Sequence, residues 1–174
     1  MEERVVLVDA QDRQVGTEGK IAAHKAGKLH RAFSVFVFNS KGGMLVQQRA
    51  AGKYHGGGLW SNACCSHPRE GESVLAAAHR KLEQEFGFDC ALEEAFSFTY
   101  RADMGNELWE HEFDHVLVGL WDGEPAPNPE EIADWRWVEP SEWLADMRER
   151  PEKHTLWARE AMERVLAFWK ARKK

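Results

Sequence analysis

The run Leu59-Trp60-Ser61-Asn62-Ala63-Cys64-Cys65-Ser66-His67-Pro68-Arg69-Glu70-Gly71-Glu72 leads into a patterned segment that closes at Gly87-Phe88. Cys65 places a thiol two residues before the imidazole of His67. Pro68 then stops regular structure, because proline has no N–H and a fixed φ. Beyond it, Leu75, Ala78, Leu82 and Phe86 recur at intervals of three and four, predicting a helix over residues 73–86 with these four on its core face. Ser73 is placed to cap its start and Gly87 to take the left-handed conformation after its end. Glu85 follows Leu82 by three residues and Ala78 by seven, so its carboxylate points close to the apolar side. A carboxylate there needs a cation, a donor or a metal. Arg80 and Lys81, one turn back, are the local candidates.

Glu72, seven intervening residues, Arg80, Leu82, Gln84-Glu85 and Gly87-Phe88 resemble the Nudix box, a loop-helix signature that handles diphosphates. Three positions depart from it: Ser66 stands where the box opens with Gly, Lys81 where Glu follows the Arg, and Gln84 where the first of two paired Glu stands. In Nudix hydrolases those Glu hold the metals that drive pyrophosphate hydrolysis, so the resemblance with these departures implies another reaction. The Trp60-Ser61-Asn62-x-x-Cys65-x-His67-Pro68 run is similar to type I isopentenyl diphosphate isomerases, Nudix-fold enzymes that transpose a double bond and leave the diphosphate intact. The likeness extends from about Val5 to Trp169. It implies an α/β Nudix-like fold with a mixed β-sheet sandwiched between α-helices.

Working outward, 174 residues suit one domain, taken as residues 1–174, with a sizeable core. Hydrophobic content of 43% and charged content of 30% describe a globular chain. There is no run of about eighteen apolar residues to cross a membrane, and residues 1–4 lack a secretory pattern, so the cytoplasm is the expected location. Three cysteines, two adjacent, give no disulfide framework and suit a reducing compartment. The net charge of −6 argues against nucleic acid, so an anionic ligand has to be held by a local cluster of cations or by metals. The turn-rich residues 123–129 read as a surface loop rather than a domain boundary.

In chain order, residues 4–8 read as a strand, 9–12 as a turn, and 20–28 as a short helix or loop carrying His24. Residues 32–38 and 44–48 flank Asn39-Ser40-Lys41-Gly42-Gly43, a hairpin signal, with His30 just before the first strand. Residues 96–101 and 108–121 read as strands. On the second, alternation puts Glu110, Glu112 and Asp114 on one face and His111, Phe113 and His115 on the other. Neighbouring carboxylates repel unless a cation lies between them or one takes a proton. A strand at 134–138, a helix at 141–147 and an amphipathic helix at 155–171 complete the chain.

The resemblance distributes roles. It implies that His24, His30, His67, Glu110 and Glu112 bind a divalent metal, and that Tyr100 precedes the two Glu by the family's spacing of ten and twelve residues. Such a donor set suits Mn2+, Zn2+ or Mg2+. A second ion, Mg2+, would bridge Glu85 and the diphosphate. Lys20, Arg49, Lys53 and Lys81 become phosphate clamps, and Trp157 faces the substrate's hydrocarbon. Cys65 is then the proton-transferring thiol on one side of isopentenyl diphosphate, with Glu112 and Tyr100 on the other. Cys64 falls one residue too early for this role, and Cys64 and Cys90 read as buried small hydrophobes. Family members more often have tryptophan and proline where this chain has His55 and Gly56 or Gly57. His55, His79, His111, His115 and His154 are expected in surface or packing roles. The partner is a small molecule, without nucleic acid or membrane, for a monomer or weak homodimer. Two other readings are a Nudix hydrolase of a nucleoside or prenyl diphosphate and a non-catalytic Nudix-like binding module.

Overall fold

The structure is a computed structural model that describes residues 2–172, so Met1, Lys173 and Lys174 of the expected domain lie outside the described residues. The first elements are β1 (Arg4–Val8), β2 (Gln14–Gly19), α1 (Lys20–Ala26), β3 (His30–Phe38) and β4 (Met44–Arg49). Two short strands, β5 (Trp60–Ser61) and β6 (Cys64–Ser66), lead to α2 (Val74–Phe86). Then come β7 (Leu92–Asp103), β8 (Trp109–Leu120), β9 (Ile132–Val138), α3 (Pro140–Glu149) and α4 (Leu156–Arg172).

The mixed sheet expected between helices is present, and β3 shows why. Apart from Arg31 the whole strand is buried. An apolar run without polar alternation is what a strand covered on both faces requires. Phe36 and Phe38 pack with Trp143 and Met147 of α3 and with Ala161, Val165 and Trp169 of α4. Val35 and Val37 pack on the opposite face with Ala77, Ala78, Leu82 and Phe86 of α2.

The turn at residues 39–43 forms, with Asn39 Oδ1 accepting from the Gly43 amide at 2.8 Å. The strands on either side of it part at once, since β3 and β4 share only the pair Phe38–Met44. β3 instead runs parallel to β8, from His30 opposite Glu112 to Phe38 opposite Leu120. β4 pairs with β9 and β5. The segment from Trp60 to Ser66 fills the fork, with β5 on β4 and β6 on β3, where Cys65 lies opposite Ser34. Asn62 staples it there: its Nδ2 donates to the Val35 carbonyl at 3.0 Å and the Cys64 carbonyl at 2.8 Å.

On α2, Ser73 Oγ accepts from the Ala76 amide at 3.1 Å, and Gly87 adopts φ 69°. A Cβ at Gly87 would also meet the Ala126 carbonyl oxygen at 3.0 Å, which favours glycine twice over. The loop at 123–129 closes the helix end, its Ala126 and Asn128 amides donating to the carbonyls of Phe86 and Glu85. Leu75 departs from the expected core face and is 44% exposed. The buried stripe is Ala77, Ala78, Leu82, Glu85 and Phe86, which leaves Leu75 on the helix's outer edge. β2, which pairs with β1, carries no apolar alternation that announces it. Among the described residues no helix is long and apolar enough to cross a membrane.

Candidate active site

Strand alternation brings Glu110, Glu112 and Asp114 to one face of β8, and all three are buried. The β7–β8 ladder sets Tyr100 opposite Glu112. Its hydroxyl lies 2.7 Å from Glu112 Oε2 and 2.9 Å from Glu110 Oε2. One hydroxyl hydrogen serves one acceptor at a time, so a proton on one carboxyl relieves the cluster. Burial and the charge of Glu112 push Glu110 well above the usual carboxylate range. Burial would raise Glu112 too, but the imidazoles of His30 and His67 beside it hold it well below that range.

His30 opens β3, and its Nε2 stands 3.5 Å from Glu112 Oε1. His67, just past β6, places Nε2 3.1 Å from the same oxygen. His24 comes from α1. Its Nδ1 donates to the Lys20 carbonyl at 2.6 Å, as the Nδ1 of His30 does to the Lys28 carbonyl at 2.9 Å. A carbonyl only accepts, so both rings carry hydrogen on Nδ1 and turn the lone pair of Nε2 toward the cluster. Those two Nε2 atoms are buried without a partner. Burial lowers His24 to about 4, leaving it neutral and free to coordinate. Ligand atoms of His24, His30, His67 and Glu112 lie within 4.8 Å of one another, an imidazole and carboxylate group able to hold a metal ion. Glu110 joins a second, overlapping group with His24 and His55.

A cavity of about 410 Å³ opens beside this cluster, and Cys65, Glu112, Glu110, His67, Phe33 and Trp157 are among the residues that line it. Of the two adjacent thiols, Cys65 is the one that faces it, while Cys64 is fully buried among the side chains that pack on α2. Burial pushes the Cys65 thiol up to about 11, with the Arg49 guanidinium pulling the other way. Arg49 Nη1 approaches Sγ at 3.3 Å, Nε donates to the His55 carbonyl at 2.9 Å, and the guanidinium lies 5.1 Å from the Trp157 ring centre. Trp157 Nε1 donates to Ser61 Oγ at 3.1 Å, which satisfies the indole's polar end within the apolar wall.

Lys20, Lys53, Lys81 and Glu85 line the same cavity. Each ammonium has a carboxylate nearby: Lys20 meets Glu3 at 3.1 Å, Lys81 meets Glu85 at 3.4 Å, and Lys53 contacts Glu131 and, at 4.0 Å, Glu85. Glu85 also lies 3.3 Å from Gln47 Nε2. Arg80 is not its partner, because both guanidinium arms clamp Glu72 at 2.7 and 2.8 Å and tie the loop after Pro68 to α2. Gln84 is exposed, so among the described residues α2 turns the single carboxylate of Glu85 into the cavity.

Every expected site residue therefore borders this cavity or the metal-capable group. His55 corrects the sequence reading: it belongs to the cluster, 3.9 Å from Glu110, because its loop folds back over α1. Glu131 was also not expected here. Its only signal is an acidic pair, Glu130-Glu131, just before β9. The other four unassigned histidines do take surface or packing roles: His79 pairs with Asp89, His111 with the Gly27 carbonyl, His115 with Asp12 and Glu94, and His154 with Asp146. Cys90 is only half-buried.

Residues 28–164 match the model of the NUDIX domain. Isopentenyl-diphosphate Delta-isomerase 2 of Aromatoleum aromaticum is 53% identical over 167 residues, covering 96% of this chain and 88% of that protein. The isopentenyl-diphosphate Delta-isomerase of Serratia proteamaculans is 50% identical, covering 90% of this chain and 88% of its own. The chain belongs to the isopentenyl-diphosphate Delta-isomerase family. The family's Nudix frame is visible in solved structures of low identity. A Deinococcus radiodurans protein superposes with TM-score 0.78 at 21% identity, covering 93% of this chain and 98% of its own. The MutT protein of Methanosarcina mazei does so with TM-score 0.67 at 18% identity, covering 84% and 96%. This member of the isomerase family thus shares its fold with the Methanosarcina mazei protein, and the departures at Lys81 and Gln84 lie on α2.

Proposed function

We propose that this chain isomerises isopentenyl diphosphate to dimethylallyl diphosphate in isoprenoid biosynthesis by protonation and deprotonation. The π pair of the terminal alkene forms a new C–H bond to an added proton, leaving a cation at the tertiary centre, and loss of a proton from the carbon on its far side turns that C–H pair into the new double bond. The diphosphate ester stays intact and no proton is consumed. The observation that carries this reading is that Cys65 and Glu112, the latter hydrogen-bonded by Tyr100, line one cavity whose other residues include three lysines. Cys65 and Glu112 exchange the two protons, and Tyr100 holds the second oxygen of Glu112 in place.

The intermediate is cation-like at a tertiary carbon and has to be shielded from water. Trp157 and Phe33 supply aromatic faces and an apolar wall, and Glu112 supplies negative charge. Lys20, Lys53 and Lys81, with Arg49 deeper in, neutralise the diphosphate, which competes for them with Glu3, Glu131 and Glu85. The unpartnered Nε2 atoms of His24 and His30 fit a divalent ion held with His67, Glu110 and Glu112, which we assign as Mn2+, Zn2+ or Mg2+. When bound, such an ion fixes Glu112 and tunes its acidity. Mg2+ suits Glu85 together with phosphate oxygens. The chain acts as one domain over residues 1–174, as a monomer or weak homodimer in a reducing cytoplasm.

The test is incubation with isopentenyl diphosphate and Mg2+ in deuterated water. Deuterium-labelled dimethylallyl diphosphate with no phosphate release is expected. Release of phosphate or pyrophosphate, or product without label, sinks the reading.

A further inference from the structure

We propose that His55 is a further ligand of this metal centre, so that four imidazoles rather than three surround the ion. The inference rests on the centre assigned above. His55 is 8% exposed, and its Nε2 is buried without a hydrogen-bond partner. Its ring centre lies 4.7 Å from that of His24, and Nε2 stands 3.9 Å from Glu110 Oε1. That separation is too long for a hydrogen bond. Ligand atoms about 2.1 Å from a shared ion lie roughly 3–3.5 Å apart, so a small contraction brings the pair into range. One ligand atom from each of His24, His55 and Glu110 already falls within 4.8 Å of the other two.

The backbone around His55 is set for this. Its carbonyl accepts from Arg49 Nε at 2.9 Å, and Gly56 and Gly58 turn the chain back at φ 62° and 82°. The Tyr54 ring, 4.3 Å away, packs against the imidazole. Nothing about packing alone accounts for an imidazole nitrogen held dry beside a carboxylate, which costs desolvation without return. The same loop carries Lys53 to the cavity, so an ion that grips His55 also holds the loop bearing a phosphate-facing cation.

Co2+ serves as the probe, added to the full-length metal-free protein without substrate. His55→Phe keeps a ring against His24 and Tyr54 and removes both nitrogens; it is expected to weaken Co2+ in chelator competition about tenfold or more and to change the visible ligand-field spectrum. The Co2+-loaded native protein is expected to show four strongly shifted imidazole N–H proton signals, a reading that stands even if the variant does not fold. Unchanged affinity, weaker binding with an unchanged spectrum, or three shifted signals overturns the ligand while leaving the centre intact. A native protein that takes up no Co2+ sinks the centre, and the ligand with it.

Discussion

Tyr100 and Glu112 are direct cross-strand partners, with the hydroxyl of one 2.7 Å from a carboxylate oxygen of the other. Their twelve-residue separation in sequence is the length of a hairpin that turns at residues 104–108, and Glu110, two residues nearer the turn, reaches the same hydroxyl. Spacing and chemistry therefore share one cause: the ladder places the phenol between two acids, and alternation turns both acids to the same face. Cys65 reaches the cavity from across β3, whose two edges carry β6 and β8.

Cys65→Ala should abolish isomerisation, by roughly 10²–10⁴-fold or more, the range of a positioned proton-transfer group. The fold should persist, because the thiol is only half-buried. Cys64→Ala should do the reverse, costing about 1 kcal/mol of stability with turnover nearly intact. Steady-state rates and thermal melts on both variants decide it, and normal turnover in Cys65→Ala rejects the thiol's role.

Loading the metal-free protein with a divalent ion should release a proton from Glu110 at pH values below its raised pKa, because burial and the charge of Glu112 hold the carboxyl well above its usual range. A raised folded value means the metal and the proton compete, so affinity should climb with pH until free Glu110 ionises. His24, lowered to about 4, competes only below that pH. Calorimetry in buffers of different ionisation enthalpy counts the proton. Zero release at every pH above the usual carboxylate range contradicts the assignment.

Glu112→Gln should lose on two counts, weakening metal retention about 10–100-fold and lowering turnover, because the same carboxylate meets both histidines and the tyrosine. Metal content and rate equal to those of the native protein would remove Glu112 from both roles.

Lys53→Ala should raise KM for the diphosphate by about 10- to 100-fold, the equivalent of a charged hydrogen bond worth roughly 1.5–3 kcal/mol. The effect on kcat should be smaller, since Lys53 lies with Glu131 and Glu85, away from Cys65's sulfur contact with Arg49. An unchanged KM would return Lys53 to the status of an ordinary surface cation.

Trp157→Ala should cost about 3–5 kcal/mol of stability, as for other buried aromatic truncations, because Trp157 is 4% exposed and anchored to Ser61. Trp157→Phe should keep the fold and slow turnover by loosening the apolar wall. Denaturant melts and rates on the two variants separate packing from substrate contact.

Local chemistry was legible in the chain itself. The cap at Ser73, the stop at Gly87, the inward turn of Glu85 and the shared face of Glu110 and Glu112 follow from periods of 3.6 and 2 and from which residues tolerate which dihedrals. The Cys65–His67 spacing and the tyrosine-to-acid interval carried the family likeness. Periodicity did not reveal that β3 and β4 part after one pair, or that Trp60 to Ser66 wedges between them. Strand partnership across some eighty residues depends on which edges the whole sheet leaves open, and a local pattern holds no record of that. His55 shows the same limit. A histidine ahead of three glycines looks like surface until loop closure carries it against His24 and Glu110, and only tertiary packing brings such distant side chains within an ion's reach.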